Sequence, residues 1–312
     1  MGNFKENIYQ LFIGLYRVLP YKKAFCLALK RLNVPRSRFY TDLRFNGEFK
    51  VKLSSDASFR LINYGASIEN EIFWNGPFVT WENDTGWIWK QLCLSSKVVF
   101  DVGANTGLYS LITKSLNPQA KVYAFEPSQN TYHKLSKNDQ LNSFGIHCEQ
   151  IALSNMDGKQ VFYDVEDSNQ TSASLSPDKL KNWIGHTGRT VEYEVKTMKC
   201  SSYIEENHIE NIDLIKIDVE MHEAEVIEGL GTYLSKFKPA VVIEVLSESV
   251  ANDLNKLIDH DDYQIFHLKG HEDAKPVSRF KLIPNEWNFL FFHNDSESWI
   301  RKNTNLYEHV SS

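Results

Sequence analysis

After Lys97 short β-branched runs alternate with stretches at helical spacing, and this alternation leaves the chain few ways to fold. A strand that feeds a helix and then another strand must cross over, so successive strands lie parallel in one sheet with helices against its faces. The pattern predicts strands at about 97–102, 121–126, 146–153, 213–218 and 239–246, with helices at about 107–116, 128–142, 222–235 and 248–259 between them. Residues 263–268 and 287–293 are apolar runs joined by a polar, Pro-containing segment without helical spacing, which predicts antiparallel pairing at one sheet edge. The stretch 154–212 breaks the alternation with a hairpin, a Ser/Thr/Asn-rich loop at 168–176, a strand near 191–197 and a short helix. Long polar insertions over the carboxyl ends of parallel strands commonly cover substrate.

Upstream the periodicities differ. Ile8, Leu11, Phe12, Leu15, Tyr16 and Leu19 recur at helical spacing until Pro20 divides the run into two short helices. From Tyr40 to Tyr64 the pattern is alternating, with turns at Asn46-Gly47 and Ser54-Ser55-Asp56, as in antiparallel strands. The expected organisation is an N-terminal extension of helices and strands at 1–95, an α/β domain at 96–295 and a C-terminal helix or tail at 296–312. The extension is a candidate acceptor or dimer contact.

In VVFDVGANTGLYS a buried strand ends at Asp101, and Gly103 and Gly107 let the backbone turn tightly at the start of a helix. The spacing is DxGxxxG. The extra glycine of GxGxxG, which makes room for a pyrophosphate, is replaced by Asn105. The next strand, KVYAFEP, ends at Glu126, where an acid can accept both ribose hydroxyls of a nucleoside. Taken singly, the glycines could form an ordinary turn and Glu126 could face a helix dipole; together they indicate a nucleoside pocket without a phosphate requirement.

DVGANTG, FEP, ALS at 152–154, DLIKIDVEMHE at 213–223, IEV at 243–245 and the late WNFLFF run resemble the FkbM-type methyltransferases over about 97–293. The resemblance implies a class I methyltransferase, Rossmann-like fold: a mostly parallel sheet with an antiparallel edge strand. It also implies S-adenosylmethionine as donor, S-adenosylhomocysteine as product and a hydroxyl acceptor, often of a sugar or polyketide. Asp101, Gly103, Asn105, Gly107, Glu126, Pro127, Ala152, Leu153 and Asp218 are the expected cofactor-binding positions. Where the family commonly has Gly after DVE, Met221 stands here.

Methyl transfer is an in-line displacement, so the acceptor oxygen must be held opposite the sulfur and relieved of its proton. Asp218, at the carboxyl end of a strand, is the first candidate for a polar group at that centre, with His222 or Glu220 as base. His222 titrates nearest neutrality. Lys216 is expected to neutralise a carboxylate such as Asp218 or Glu244, since an unpaired buried charge is costly. Glu223 is expected in the first helical turn, where the dipole favours an acid. The hard oxygen ligands Asp218, Glu220, Glu223 and Glu244 would suit magnesium or calcium, yet their spacing forms no metal motif, so no metal is expected.

Trp74, Trp81, Trp87 and Trp89 either stack on a carbohydrate acceptor or pack the segment onto the core, and Glu82 could reach the cofactor. The formal charge of −6 is uneven: residues 1–38 hold eight Lys and Arg against Glu6, a net +7, which leaves −13 on the rest. An acidic body argues against nucleic acid as partner. The basic segment at 4–38 could touch an anionic membrane surface or a second subunit. Four dispersed cysteines and the lack of a span-length apolar run fit a cytoplasmic protein, with the inner membrane face as a second location. The competing function is an NAD-dependent oxidoreductase or epimerase of sugars, against which the missing GxGxxG counts.

Overall fold

The structure, a computed structural model, describes residues 2–32, 42–79, 82–165, 174–175, 190–270 and 272–308. Two compact units are present, Met1–Trp81 with Ser168–Gln170, and Glu82–Asp167 with Thr171–Ser312.

In the first unit α1 (Gly2–Val18) and α2 (Lys22–Arg31) are separated at Pro20, where the missing N–H and fixed φ disfavour helix. β1 (Gly47–Lys52) and β2 (Ser58–Asn63) pair antiparallel, and α3 (Ser67–Asn75) follows. The hairpin closes at Ser54, whose hydroxyl accepts the N–H groups of Asp56 and Ala57. Phe73 meets Phe45, Phe49 and Trp74 edge-on at centroid distances of 4.7, 5.4 and 4.8 Å. The cluster is thus built from Phe49 of β1, Phe45 just before that strand, and Phe73 and Trp74 of α3.

The second unit is the predicted α/β sheet. In chain order it contains α4 (Gly86–Ser95), β3 (Val98–Val102), α5 (Leu108–Leu116), β4 (Lys121–Phe125), α6 (Gln129–Asn142), β5 (His147–Glu149), β6 (Ala152–Ser154), β7 (Gly158–Val165), β8 (Thr190–Lys199), α7 (Cys200–Glu206) and β9 (Leu214–Ile217). It continues through α8 (Glu223–Leu230), α9 (Thr232–Phe237), β10 (Ala240–Glu244), α10 (Glu248–Leu257), β11 (Tyr263–Lys269), β12 (Asp273–Val277), β13 (Asn288–His293) and α11 (Glu297–Asn303). The main sheet has the order β12-β11-β13-β10-β9-β3-β4-β5. Strands β10, β9, β3, β4 and β5 are parallel; β13 pairs antiparallel with both β10 and β11. This is the class I methyltransferase arrangement, with its antiparallel strand inserted near the edge. Leu214, Ile215 and Ile217 of β9 are fully buried between helical layers, each contributing roughly 1.5–3 kcal/mol.

Three expectations are corrected. The strand expected at 146–153 is two strands in two sheets: β5 ends the main sheet, whereas β6 pairs parallel with β8 in a second sheet ordered β6-β8-β7. The single helix expected at 222–235 breaks at Gly231, whose φ of 55° and ψ of −132° no helix accommodates. The polar segment between the two late strands forms β12, and its Pro276 is tolerated because that strand lies at the sheet edge. Most of the 168–176 loop lies outside the described residues; Ser174 bridges to Tyr163 of β7.

Candidate active site

β3 is flanked by β4 on one side and β9 on the other, so the chain changes direction across the sheet there. At such a switch point the crossovers diverge and leave a crevice beyond the strand carboxyl ends. β4, β3, β9 and β10 are consecutive, which brings the segments after Phe125, Val102 and Ile217, together with Glu244, out along one edge.

The glycine turn is built by close backbone approach. The N–H groups of Gly103 and Ala104 both donate to the Phe125 carbonyl at 3.0 Å. Gly103 has φ +78°, and a Cβ there would lie 1.8 Å from the Asp218 carbonyl oxygen. Gly107, at φ +92°, opens α5. Asn105 adopts φ 52° and donates its N–H to Glu126 Oε2 at 3.0 Å, while Ser128 N–H donates to Oε1 at 2.9 Å. Burial raises the Glu126 pKa to about 7 despite these two donors. Each carboxylate oxygen retains capacity for a further donor, so two adjacent ribose O–H groups fit this acceptor set. Asp101 is buried and accepts both the N–H and the hydroxyl of Ser110, at 3.0 and 2.6 Å; it ties α5 to β3. Burial raises its pKa, with the Ser110 hydroxyl opposing. Pro127 is half-buried beside Glu126. Ala152 and Leu153 are buried in β6, Leu153 within the main core.

Asp218 leaves β9 with its N–H donating to the Val102 carbonyl at 3.0 Å. Its Oδ2 accepts Lys216 Nζ at 2.7 Å, the partner expected on grounds of charge cost. The same ammonium lies 4.0 Å from Glu82 Oε2 and 4.3 Å from the centroid of the Tyr109 ring. Burial lowers the Lys216 pKa, but Asp218 and Glu82 more than offset it and the net direction is upward. Burial likewise raises Glu82, with Lys216 opposing. Thr85 donates its hydroxyl to Glu82 Oε2 at 3.3 Å and lies 2.5 Å from the Tyr109 hydroxyl. Thr85 and Tyr109 carry no sequence signal as site residues, because this network closes only through tertiary contact. Glu244 ends β10, its pKa raised by burial and by the nearby Asp218 and Glu223 carboxylates.

The four residues after Val219 do not act together. Glu220 (φ 60°) and Met221 (φ 76°) are successive left-handed residues, and Ser174 donates its hydroxyl to the Glu220 carbonyl. Met221 thus adopts the conformation that favours the glycine common in the resembling family. Glu223 is buried at the start of α8, where its Oε1 accepts the N–H groups of Val219 and Met221 at 3.2 and 3.1 Å and fastens the turn. Its pKa rises to about 7 through burial. The His222 ring is hydrogen-bonded to Ser154 Oγ on β6 at 2.9 Å and lies 3.6 Å from Glu225, so the second sheet and α8 engage it. Burial lowers its pKa to about 4, against the near-neutral titration expected from its residue type. Replacing Met221 by Gly is expected to change stability by no more than about 1 kcal/mol, as relief of strain offsets lost packing. Met221→Val should cost about 2 kcal/mol, because a β-branched residue fits this region poorly. Urea unfolding distinguishes the two; equal losses would show that the turn does not hold this conformation.

Trp87 and Trp89 are buried in α4, and Trp89 donates to Thr113 Oγ1 at 3.1 Å, so packing accounts for them; Trp74 is buried in α3, and Trp81 lies outside the described residues. Among the described residues no group of three or more His, Cys, Asp or Glu side chains is arranged to hold a metal ion. No helix among them is long and apolar enough to cross a membrane.

The profile of a family described as the methyltransferase FkbM domain matches residues 101–265. The methyltransferase SdnD of Sordaria araneosa is 29% identical over 177 residues, which cover 50% of this chain and 68% of that protein. The hexuronic acid methyltransferase AglP of Haloferax volcanii is 26% identical over 161 residues, 52% of this chain and 61% of its own length. The 31-O-demethyl-FK506 methyltransferase of Streptomyces tacrolimicus is 29% identical over 153 residues, 43% of this chain and 59% of its own. None of these three relatives is an oxidoreductase or epimerase.

Proposed function

This chain belongs to the FkbM family of S-adenosylmethionine-dependent methyltransferases, and on that premise we propose that it methylates a hydroxyl group of a sugar, a glycan or a related natural product. The observation that carries the reading is the close approach of Gly103 to the Asp218 backbone carbonyl, which brings the candidate donor turn beside the residue whose carboxylate is the acceptor-side candidate. A hexuronic acid methyltransferase and an O-methylating enzyme among the relatives support a polyhydroxylated acceptor.

When bound, the cofactor supplies a methyl group on a positively charged sulfur. Glu126 would hold its ribose, with Gly103, Asn105 and Gly107 shaping the turn beside it. Asp218, fixed by Lys216 at 2.7 Å, orients the acceptor hydroxyl through a charge-assisted hydrogen bond. Glu220, in the left-handed turn that follows Asp218, is the remaining candidate for the base that takes the proton as the new bond forms. His222 is a positioning residue: a ring with a pKa near 4 is a weak proton acceptor at neutral pH, and its bond to Ser154 ties the turn to the second sheet.

Glu126→Ala is expected to weaken S-adenosylhomocysteine binding roughly 10- to 100-fold, the equivalent of losing one to two hydrogen bonds to a charged group. Ribose O–H donors favour the ionised carboxylate, so binding lowers its pKa. Affinity in the parent protein should therefore rise with pH up to about 7 and level off above it. Glu126→Gln should flatten that profile. Calorimetric titration measures all three, and an unchanged affinity in the Ala variant would remove the ribose assignment.

The acceptor is tested by mass spectrometry of a glycan pool incubated with the enzyme and isotopically labelled donor. The expected product carries one additional methyl that survives mild alkali, as an ether does. An alkali-labile methyl would mark a carboxyl ester and overturn the hydroxyl reading.

A further inference from the structure

Among the described residues, five of the eleven exposed large apolar side chains fall in the first 32 positions: Leu11, Leu15, Val18, Tyr21 and Leu32, from 61% to 85% exposed. The other six, Val79, Leu94, Met156, Val161, Leu257 and Trp287, are scattered singly along the chain. In α1, Leu11, Leu15 and Val18 are spaced i, i+4, i+7 and form one stripe. A different face of the helix joins the unit. Ile13 and Tyr16 are buried, and Tyr16 donates its hydroxyl to the Arg44 carbonyl at 2.6 Å and packs 5.9 Å from the Phe25 ring. The outward stripe is thus not a by-product of folding the helix onto its own unit.

Charge identifies what the stripe faces. No Asp or Glu stands between Glu6 and Asp42, while Arg17, Lys22, Lys23, Lys30 and Arg31 lie on or beside the two helices. Lys22 rests over the Tyr16 ring at 5.6 Å and Lys30 over Phe73 at 4.6 Å, so their apolar stems cover aromatic surface while the segment keeps its positive charge. Exposed leucines and an exposed tyrosine among cations, with Glu6 as the single acid in the two helices, make an interfacial amphipathic device. A second copy of the acidic body would complement the charge, but among the described residues its exposed apolar side chains are isolated and offer the stripe no matching run.

We propose that α1 and α2 seat the first unit on the surface of an anionic lipid bilayer, with Leu11, Leu15, Val18 and Tyr21 entering the acyl boundary and Arg17, Lys22 and Arg31 meeting the headgroups.

Full-length protein is sedimented with vesicles of phosphatidylcholine alone and of equal parts phosphatidylcholine and phosphatidylglycerol, at low and high salt. Salt-sensitive binding to the anionic vesicles is expected. Leu11→Ser combined with Leu15→Ser should lower the partition coefficient at least roughly tenfold. Arg17→Glu combined with Arg31→Glu should lower it roughly 25-fold or more, from about fivefold per charge at the surface. Circular dichroism confirms that each variant is folded, since all four positions are exposed. Equal binding to both vesicle types, or leucine variants that bind like the parent, would overturn the proposal. So would a dimer by light scattering that the leucine variants dissociate, because the stripe would then belong to a second copy.

Discussion

Asp218→Asn is expected to reduce the turnover of methyl transfer about 100- to 10,000-fold, the range for loss of a positioned polar group at a proton-transferring centre. The substitution keeps the side chain's shape but removes its charge and half of its acceptor capacity. Lys216 would not be stranded. It retains Glu82 Oε2 at 4.0 Å and the Tyr109 ring at 4.3 Å, and loss of the Asp218 charge removes one of the influences that raise the Glu82 pKa, which favours the ionised Glu82 beside it. The fold should therefore survive, with a melting temperature within a few degrees of the parent. Binding of S-adenosylhomocysteine should change by less than about threefold if, as proposed, the ribose rests on Glu126; a larger loss would return Asp218 to the cofactor-binding positions expected from the sequence. His222→Asn is the informative contrast: it should act mainly on stability, through the Ser154 bond, and leave turnover within about tenfold. Unchanged turnover in Asp218→Asn would reject its role at the acceptor, and a collapse in His222→Asn without loss of stability would restore the histidine as the base.

The parts of the site that lie close together along the chain are legible in the sequence. Gly103, Gly107 and Glu126 stand at separations that a strand, a turn and a helix impose, and Lys216 announces a partner because a lone buried ammonium is costly. The left-handed backbone at Met221 is marked by the glycine common at that place. What resists reading depends on contacts between distant segments. Nothing in CEQIALS says that the chain leaves one sheet at Glu149 and enters another at Ala152; the choice is made by the pairing of Ala152 with Thr197. Asp273–Val277 is too polar to declare itself a strand and forms one only because β11 offers an open edge. His222 shows the limit from the other side: its residue type suggests titration near neutrality, and burial against β6 removes it.

Gly103→Ala should be the most damaging single-methyl addition in the second unit. The new Cβ would lie 1.8 Å from the Asp218 carbonyl oxygen and 2.8 Å from its carbon, and both are backbone atoms with no rotamer to yield. Relief requires moving the end of β3 away from that of β9, which breaks the Asp218 N–H bond to Val102 or the Gly103 N–H bond to Phe125. The φ of +78° adds about 1 kcal/mol of left-handed strain for a residue with a side chain. A total loss of about 3–5 kcal/mol is expected, of the size seen for overpacking combined with a broken buried hydrogen bond. At about 2–4 °C per kcal/mol this corresponds to a melting temperature roughly 6–20 °C lower. Gly107→Ala provides the control. Its Cβ would meet Leu135 Cδ1 at 2.6 Å, the far end of a side chain that can swing aside, so the cost should be about 1–2 kcal/mol despite a similar φ. Both glycines are equally visible in DVGANTG, yet only one is pressed against backbone. If the two variants melt together, the donor turn does not touch the strand that carries Asp218, and the junction of donor and acceptor sides fails with it.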